Sequence, residues 1–214
     1  MTLTNCYFKN VTKPGKKAKI SGDKGSASPG KRRSHLELRT YLEAFFAQPE
    51  YSGFKYNPAK PYMQEFYRMT NQFGWDSKGT KEQQEKFIGA REGLNTASTL
   101  QFNAIYGEDE EDPAAWRNLC GVLRIANIPE NSDMCRVLVE SSYVNICDLV
   151  DSPVLNTKVK HFKSEEELSM YTKRTGKFFP LEDAHAGGLL KFLLRRILYP
   201  LKGESPYPRP ILQE

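Results

Sequence analysis

The sequence predicts a mainly α fold: one irregular bundle of about eight helices, at most one short β-hairpin, and a disordered basic N-terminal arm. Three observations predict it. Lys81 to Tyr106 is the longest stretch without a strong helix breaker. Apolar residues recur at three- and four-residue steps in most of the segments between breakers, the spacing that gathers side chains on one helix face. The opening residues, by contrast, are rich in Gly, Ser, Pro and Lys and offer little to bury. These divide the chain into an arm (1–34), a helical domain (35–199) and a Pro-rich tail (200–214).

The arm holds Pro14, Gly15, Gly22, Gly25, Pro29 and Gly30 among polar residues, a composition that cannot offset the entropy of ordering. Residues 1–35 carry nine Lys or Arg against the single acid Asp23, a net of +8, which leaves −3 on the rest of a chain whose total is +5. Lys16, Lys17 and Lys19 form one basic cluster and Lys31, Arg32 and Arg33 a second. Such clusters suit a nuclear import signal or contact with phosphates, and equally a solvated tail without a partner. Ser28-Pro29 beside the second cluster is a candidate phosphorylation site.

Order is expected from about Ser34. Leu36, Tyr41, Leu42, Phe45 and Phe46 define a short amphipathic helix that stops at Gln48-Pro49. A loop rich in Tyr, Gly and Pro follows, and Pro61 opens a helix with Met63, Phe66, Tyr67 and Thr70 on one face, ended by Phe73-Gly74-Trp75. Phe66 and Trp75 are expected in the core. In the long helix Phe87, Ala90, Leu94, Ala97, Ala104 and Ile105 share a face, and Gly107 suits its C-terminus. Gly89, Gly93 and Ala97, small residues four apart, suggest a close helix crossing. Asp112-Pro113 caps and starts the next helix, with Trp116, Leu119, Cys120 and Leu123 inward. The preceding acidic turn, Glu108 to Asp112, lacks the spacing of a calcium loop.

Ser132 introduces a helix with Met134, Val137 and Leu138 inward, and Tyr143, Ile146, Cys147 and Val150 mark another, broken at Asp151-Ser152-Pro153. Val159, His161 and Lys163 alternate as in a short strand, with Val154-Leu155 as its candidate hairpin partner. Ser164 and Glu167 form a capping box for a helix closed by Gly176. Leu181 to Tyr199 reads as a last, strongly apolar helix.

Catalytic signatures are missing. There is no nucleophile elbow, Walker loop or paired-ligand zinc spacing, so neither a cofactor nor a metal is expected. The three histidines are His35, His161 and His185, and the cysteines are Cys6, Cys120, Cys135 and Cys147. Cys120 or Cys147 could meet His161 or His185 in space as a nucleophile, but both cysteines fall on apolar helix faces, where a reduced Cys behaves as a small hydrophobe. Lys191, Arg195 and Arg196 form a cationic group on the last helix, either complementing its dipole or offering an anion surface. No stretch of ~18 apolar residues exists. With no apolar N-terminal segment and no Cys-x-x-Cys pair, an intracellular protein, nuclear or cytoplasmic, is expected.

Several motifs stand in order: Phe54-Lys55-Tyr56-Asn57-Pro58, Glu65-Phe66-Tyr67-Arg68-Met69, Gly74-Trp75, Gln101 to Gly107, Trp116-Arg117-Asn118-Leu119-Cys120, Val144 to Asp151, Tyr171 to Pro180 and Gly187 to Lys191. Together they resemble a family of mainly helical proteins of filamentous fungi for which no activity is established. The resemblance covers roughly residues 36–197 and implies one coherent domain and a fungal source. The function expected is a non-enzymatic interaction module, nuclear, whose arm contacts nucleic acid or an acidic partner. The alternatives are an intracellular enzyme with a pocket near His185 and Cys147, and a structural subunit docking through its last helix.

Overall fold

In a computed structural model the chain divides into two units, Met1–Arg32 and Arg33–Glu214. The structure describes residues 38–179, 188–200 and 209–213, all within the second. The arm, with Lys16, Lys17, Lys19, Lys31, Arg32 and Arg33, and the segment holding His185 lie outside the described residues. The described residues form seven α-helices, two short 3-10 turns and one antiparallel pair of two-residue strands. The fold is mainly α, as the sequence predicts.

Helix α1 (Thr40–Phe46) buries Leu42, Phe45 and Phe46, while Tyr41 points outward, 40% exposed, against the expected face. After a 3-10 turn at Pro49–Tyr51, the loop to α2 is packed by its own aromatics. Tyr51 and Phe54 are buried, and Tyr56 stacks on Phe46 with ring centroids 4.3 Å apart. Helix α2 (Tyr62–Gln72) follows Pro61 and buries Met63, Phe66, Met69 and Thr70. Trp75 is only half-buried, stacked on Phe73 at the helix end.

Helix α3 (Lys81–Tyr106) spans 26 residues and starts with a full capping box between Thr80 and Gln83. Its first half is amphipathic. Its second half is buried almost all round, Ser98, Thr99, Gln101, Phe102, Asn103, Ile105 and Tyr106 included. Here α3 passes between α1, helices α4 (Pro113–Val122) and α6 (Ile146–Leu155), and the 3-10 turn at Gly188–Phe192. Ala104, expected on the inward face, is exposed instead, as are Thr96 and Leu100. The expected close crossing is made with α1 at Gly93, where a Cβ would sit 3.1 Å from the Phe45 ring. Gly89 meets nothing within 4 Å and has no such role. Gly107 ends the helix at φ 103°, open to glycine alone, as the adjacent chain turns toward Ala115.

Asp112 caps α4 through the Ala114 amide, and Trp116, Leu119, Cys120 and Leu123 are buried as expected. In α5 (Ser132–Glu140) the buried stripe is Cys135 and Val139, and Met134 is 52% exposed. The expected face is therefore rotated by about one position. Position 135 turns inward because its thiol donates to the Pro129 carbonyl and its own carbonyl accepts from the buried Cys120 thiol.

Tyr143 is not helical. Strand β1 (Tyr143–Val144) pairs with β2 (His161–Phe162), Tyr143 opposite Phe162 and Val144 opposite His161. The strand near 161 exists, but its partner is not Val154-Leu155, because α6 runs through Pro153 to Leu155. Proline lacks the amide that would bond the Leu149 carbonyl. That carbonyl is satisfied instead by the Tyr106 hydroxyl at 2.8 Å and by Ser152 Oγ at 3.0 Å. The helix ends one residue later in the left-handed Asn156.

Helix α7 (Glu165–Thr175) is capped by Ser164, and Glu167 reaches back to the amide of Lys163 rather than of Ser164. Gly176 closes it in the left-handed conformation, with the Tyr67 hydroxyl on its carbonyl. The last predicted helix is corrected. Among the described residues only the 3-10 turn at Gly188–Phe192 forms, and 194–200 run without regular structure. Gly188, at φ 62°, lies so close to the Glu108 carbonyl that a Cβ would clash with it, so backbone approach here prevails over helix continuation. The C-terminal residues are docked. Ala126 N–H donates to the Ile211 carbonyl and Gln213 N–H to the Arg124 carbonyl, a bridge that no local pattern announces. Among the described residues no helix is long and apolar enough to cross a membrane.

Candidate anion-binding cleft

The docked C-terminal residues and the β1–β2 pair are the two walls of a half-open cleft of about 220 Å³. From β2 and the residue after it come His161, Phe162 and Lys163; from the end of α5 into β1 come Ser141, Ser142 and Tyr143; from the C-terminal segment come Arg209, Pro210 and Leu212. Among the described residues the lining contains three nitrogen bases and no carboxylate. Lys163 and Arg209 are exposed, and neither makes an ion pair among the described residues.

His161 Nε2–H donates to the Leu123 carbonyl at 2.8 Å, which leaves Nδ1 as the acceptor of the neutral ring. Burial pushes its pKa below the ordinary histidine value, against the Leu123 hydrogen bond, and Arg124 adds to the depression. The hydroxyls of Ser141 and Ser142 both donate to the Leu138 carbonyl, so their oxygens present lone pairs only. The described lining thus carries two exposed cations, Lys163 and Arg209, while the Phe162 ring packs on Tyr171 and the Tyr143 ring faces the Arg195 guanidinium.

The cations singled out on the last segment are placed differently. Lys191 pairs with Glu110 at 2.6 Å. The Arg195 guanidinium donates to the carbonyls of Phe192, Leu194, Glu140 and Ser142, tying the C-terminal segment to the end of α5. Arg196 is exposed, and its amide donates to Glu165. None of the three lines the cleft, although Arg195 backs it through the Ser142 carbonyl and the Tyr143 ring.

Two further polar clusters escape sequence reasoning. Arg39, fully buried, holds Asp151 at 2.6 Å, and the Tyr62 amide donates to the same carboxylate oxygen. Among the described residues, Arg39 Nε and Nη1, Asp151 Oδ2 and the Tyr56 hydroxyl are buried without a partner. Burial raises the Asp151 pKa to about 6, prevailing over the opposing charge of Arg39. The second cluster is half-buried: Asp148 accepts from the Tyr171 hydroxyl at 2.7 Å and from the Lys177 ammonium. Burial opposes the charge on Lys177, yet Asp148 and Tyr171 hold its pKa above the ordinary lysine range.

Both candidate nucleophiles are inert in this setting. Burial pushes the thiols of Cys120 and Cys147 up to about 12, and Cys147 Sγ contacts the Phe178 carbonyl. His161 is engaged with Leu123, and His185 lies outside the described residues. Among the described residues no group of three His, Cys, Asp or Glu could hold a metal. The cleft was missed because its residues are spread from 141 to 212. The alternation at His161 and Lys163 was its one local trace.

Compared with protein-family models, curated proteins and solved structures, the chain has no match.

Proposed function

We propose that the protein is a non-enzymatic α-helical interaction module, nuclear in location, whose basic N-terminal arm contacts nucleic acid together with Lys163 and Arg209, which make no ion pair among the described residues. The observation that carries this reading is the cleft, whose lining among the described residues includes the exposed Lys163 and Arg209 and no carboxylate. The net +8 of residues 1–35 adds a second source of positive charge. The protonated, buried thiols of Cys120 and Cys147 speak against a cysteine enzyme. The likeness to helical fungal proteins belongs to the same proposal and supplies no activity.

Titration of generic duplex DNA at several salt concentrations tests it. Each neutralised phosphate adds about −0.9 to the slope of log K against log salt, so the two arm clusters support a slope of roughly −3 to −5. A full-length variant with Lys16, Lys17, Lys19, Lys31, Arg32 and Arg33 changed to Gln is expected to lose most of that slope. Binding of an acidic polypeptide in place of DNA would redirect the proposal to a protein partner. Absence of salt-dependent binding to either overturns it.

A further inference from the structure

We infer that the outer face of α7, together with the segment 196–199 laid along it, docks an acidic amphipathic helix of a partner protein. The inference stands apart from the nucleic-acid reading, and its surface shares no residue with the cleft.

Three bonds assemble the surface. The Arg196 amide donates to Glu165 Oε1 at 2.7 Å, the Ser169 hydroxyl to the Ile197 carbonyl at 2.5 Å and the Lys173 ammonium to the Leu198 carbonyl at 3.2 Å. Residues 165, 169 and 173 stand about one turn apart, so the segment climbs α7 from its first turn to its last. Ile197 is half-buried over a small cavity lined by Leu168 and Thr172, whereas Leu198 and Tyr199 stay outside at 62% and 84% exposure.

The exposed positions of α7 that continue this surface are Met170, Lys173 and Arg174, with Glu166 one turn earlier. Side chains three and four apart are neighbours on a helix, so Met170, 65% exposed, lies beside Lys173 and Arg174. Three of the four most exposed large hydrophobic residues among those described, Met170, Leu198 and Tyr199, therefore gather on one face. Single exposed apolar residues are ordinary, but a gathered set marks an interaction surface. Methionine adapts to irregular partners, and tyrosine is enriched where interfaces bind tightly.

Charge selects the partner. Lys173, Arg174 and Arg196 are exposed and make no ion pair among the described residues. Cations in the last turn of a helix favour its dipole, which accounts for Lys173 and Arg174. Arg196 has no such reason, because it lies at the opposite end of the face, beside Glu165. Unpaired cations thus bracket the apolar residues. That pattern complements a helix with an apolar stripe and flanking carboxylates. A nucleic acid would leave the apolar side chains in water. A helix sets its carboxylates at chosen positions, clear of Glu166, whereas an anionic lipid surface meets that carboxylate as well.

The test is a fluorescein-labelled helical peptide, Leu at three- and four-residue steps and Glu beside them, titrated into the full-length protein by fluorescence anisotropy. It is expected to bind about tenfold more tightly than a peptide of the same composition in scrambled order. The basic arm attracts both acidic peptides alike, so the difference between them reads the face. Met170→Ser with Tyr199→Ser should abolish that preference, and Arg174→Glu with Arg196→Glu should weaken the ordered peptide by about tenfold. Neither pair should move the urea midpoint, because all four side chains are exposed. Equal affinity for ordered and scrambled peptides, or indifference to either double variant, overturns the inference. Tighter binding to phosphatidylserine vesicles than to the peptide, lost in Met170→Ser with Tyr199→Ser, overturns it in favour of a lipid surface. Self-association in sedimentation, lost in the same variant, overturns it in favour of a second copy of the chain. Salt-dependent DNA binding is read separately on the arm variant, so either reading can fail alone.

Discussion

The Tyr106 hydroxyl, on the last residue of α3, donates at 2.8 Å to the carbonyl of Leu149 in α6. It replaces the amide that Pro153 lacks, so a helix read from sequence as broken continues for one more turn. The same bond fastens α3 to α6 at the centre of the domain, and burial raises the phenol's pKa well above its ordinary value, keeping it a donor.

Tyr106→Phe should destabilise by about 1 kcal/mol, since the Leu149 carbonyl keeps only Ser152 Oγ. In a Pro153→Ala background the helix regains its own amide donor. The cost of Tyr106→Phe should then shrink, by an amount a double-mutant cycle in urea reads directly. Equal costs in both backgrounds would show that the hydroxyl does not substitute for the missing amide.

Trp116 is 2% exposed, lies 5.1 Å from the Phe192 ring and donates its indole proton to the Glu110 carbonyl at 2.7 Å. Trp116→Ala should cost roughly 3–5 kcal/mol by urea unfolding. A loss below about 1 kcal/mol would contradict the packing of α4 against α3 and the Gly188–Phe192 turn.

Asp151 carries a pH signature of known sign. Its pKa is raised from 3.8 to about 6, burial being the main cause. The native state therefore binds this proton more tightly than the unfolded chain does. The resulting stability is fully present below about pH 4 and is lost as the pH rises through about 6. Unfolding of the wild type and of Asp151→Asn, followed from pH 4 to 7, should show the wild-type advantage falling across that window. An advantage that grows with pH would place the folded pKa below 3.8 instead.

Removing the carboxylate also strands a cation. Asp151→Ala leaves the Arg39 guanidinium fully buried without its counter-charge, and should cost about 3–5 kcal/mol at neutral pH. The apolar pair Arg39→Met with Asp151→Leu should recover most of that loss, which a comparison of urea midpoints checks.

The sequence by itself determined the elements whose causes are local. Lys81 to Tyr106 is a helix because propensity, spacing and the Thr80 cap all act within a few residues of one another. The same holds for Asp112-Pro113 opening α4, Ser164 capping α7 and Gly176 closing it. Leu119, Cys120, Phe66 and Leu94 are buried for the same reason, since a helical period points them to one side whatever lies there.

Only the tertiary structure decided the rest. Pro153 stays helical because a hydroxyl 43 residues away in sequence satisfies Leu149. Arg39 is buried because Asp151, 112 residues on, takes its charge, whereas a sequence reading leaves an isolated arginine in solvent. Residues 194–200 are tied down by side-chain and backbone partners instead of helical bonds, the Arg195 guanidinium on the carbonyls of Glu140 and Ser142 and the Arg196 amide on Glu165. The cleft belongs to this second class. Its cations come from residues 163 and 209, and the pairing of Ala126 with Ile211 that brings them to one place is made by backbone groups, which every residue carries and no side-chain pattern reveals.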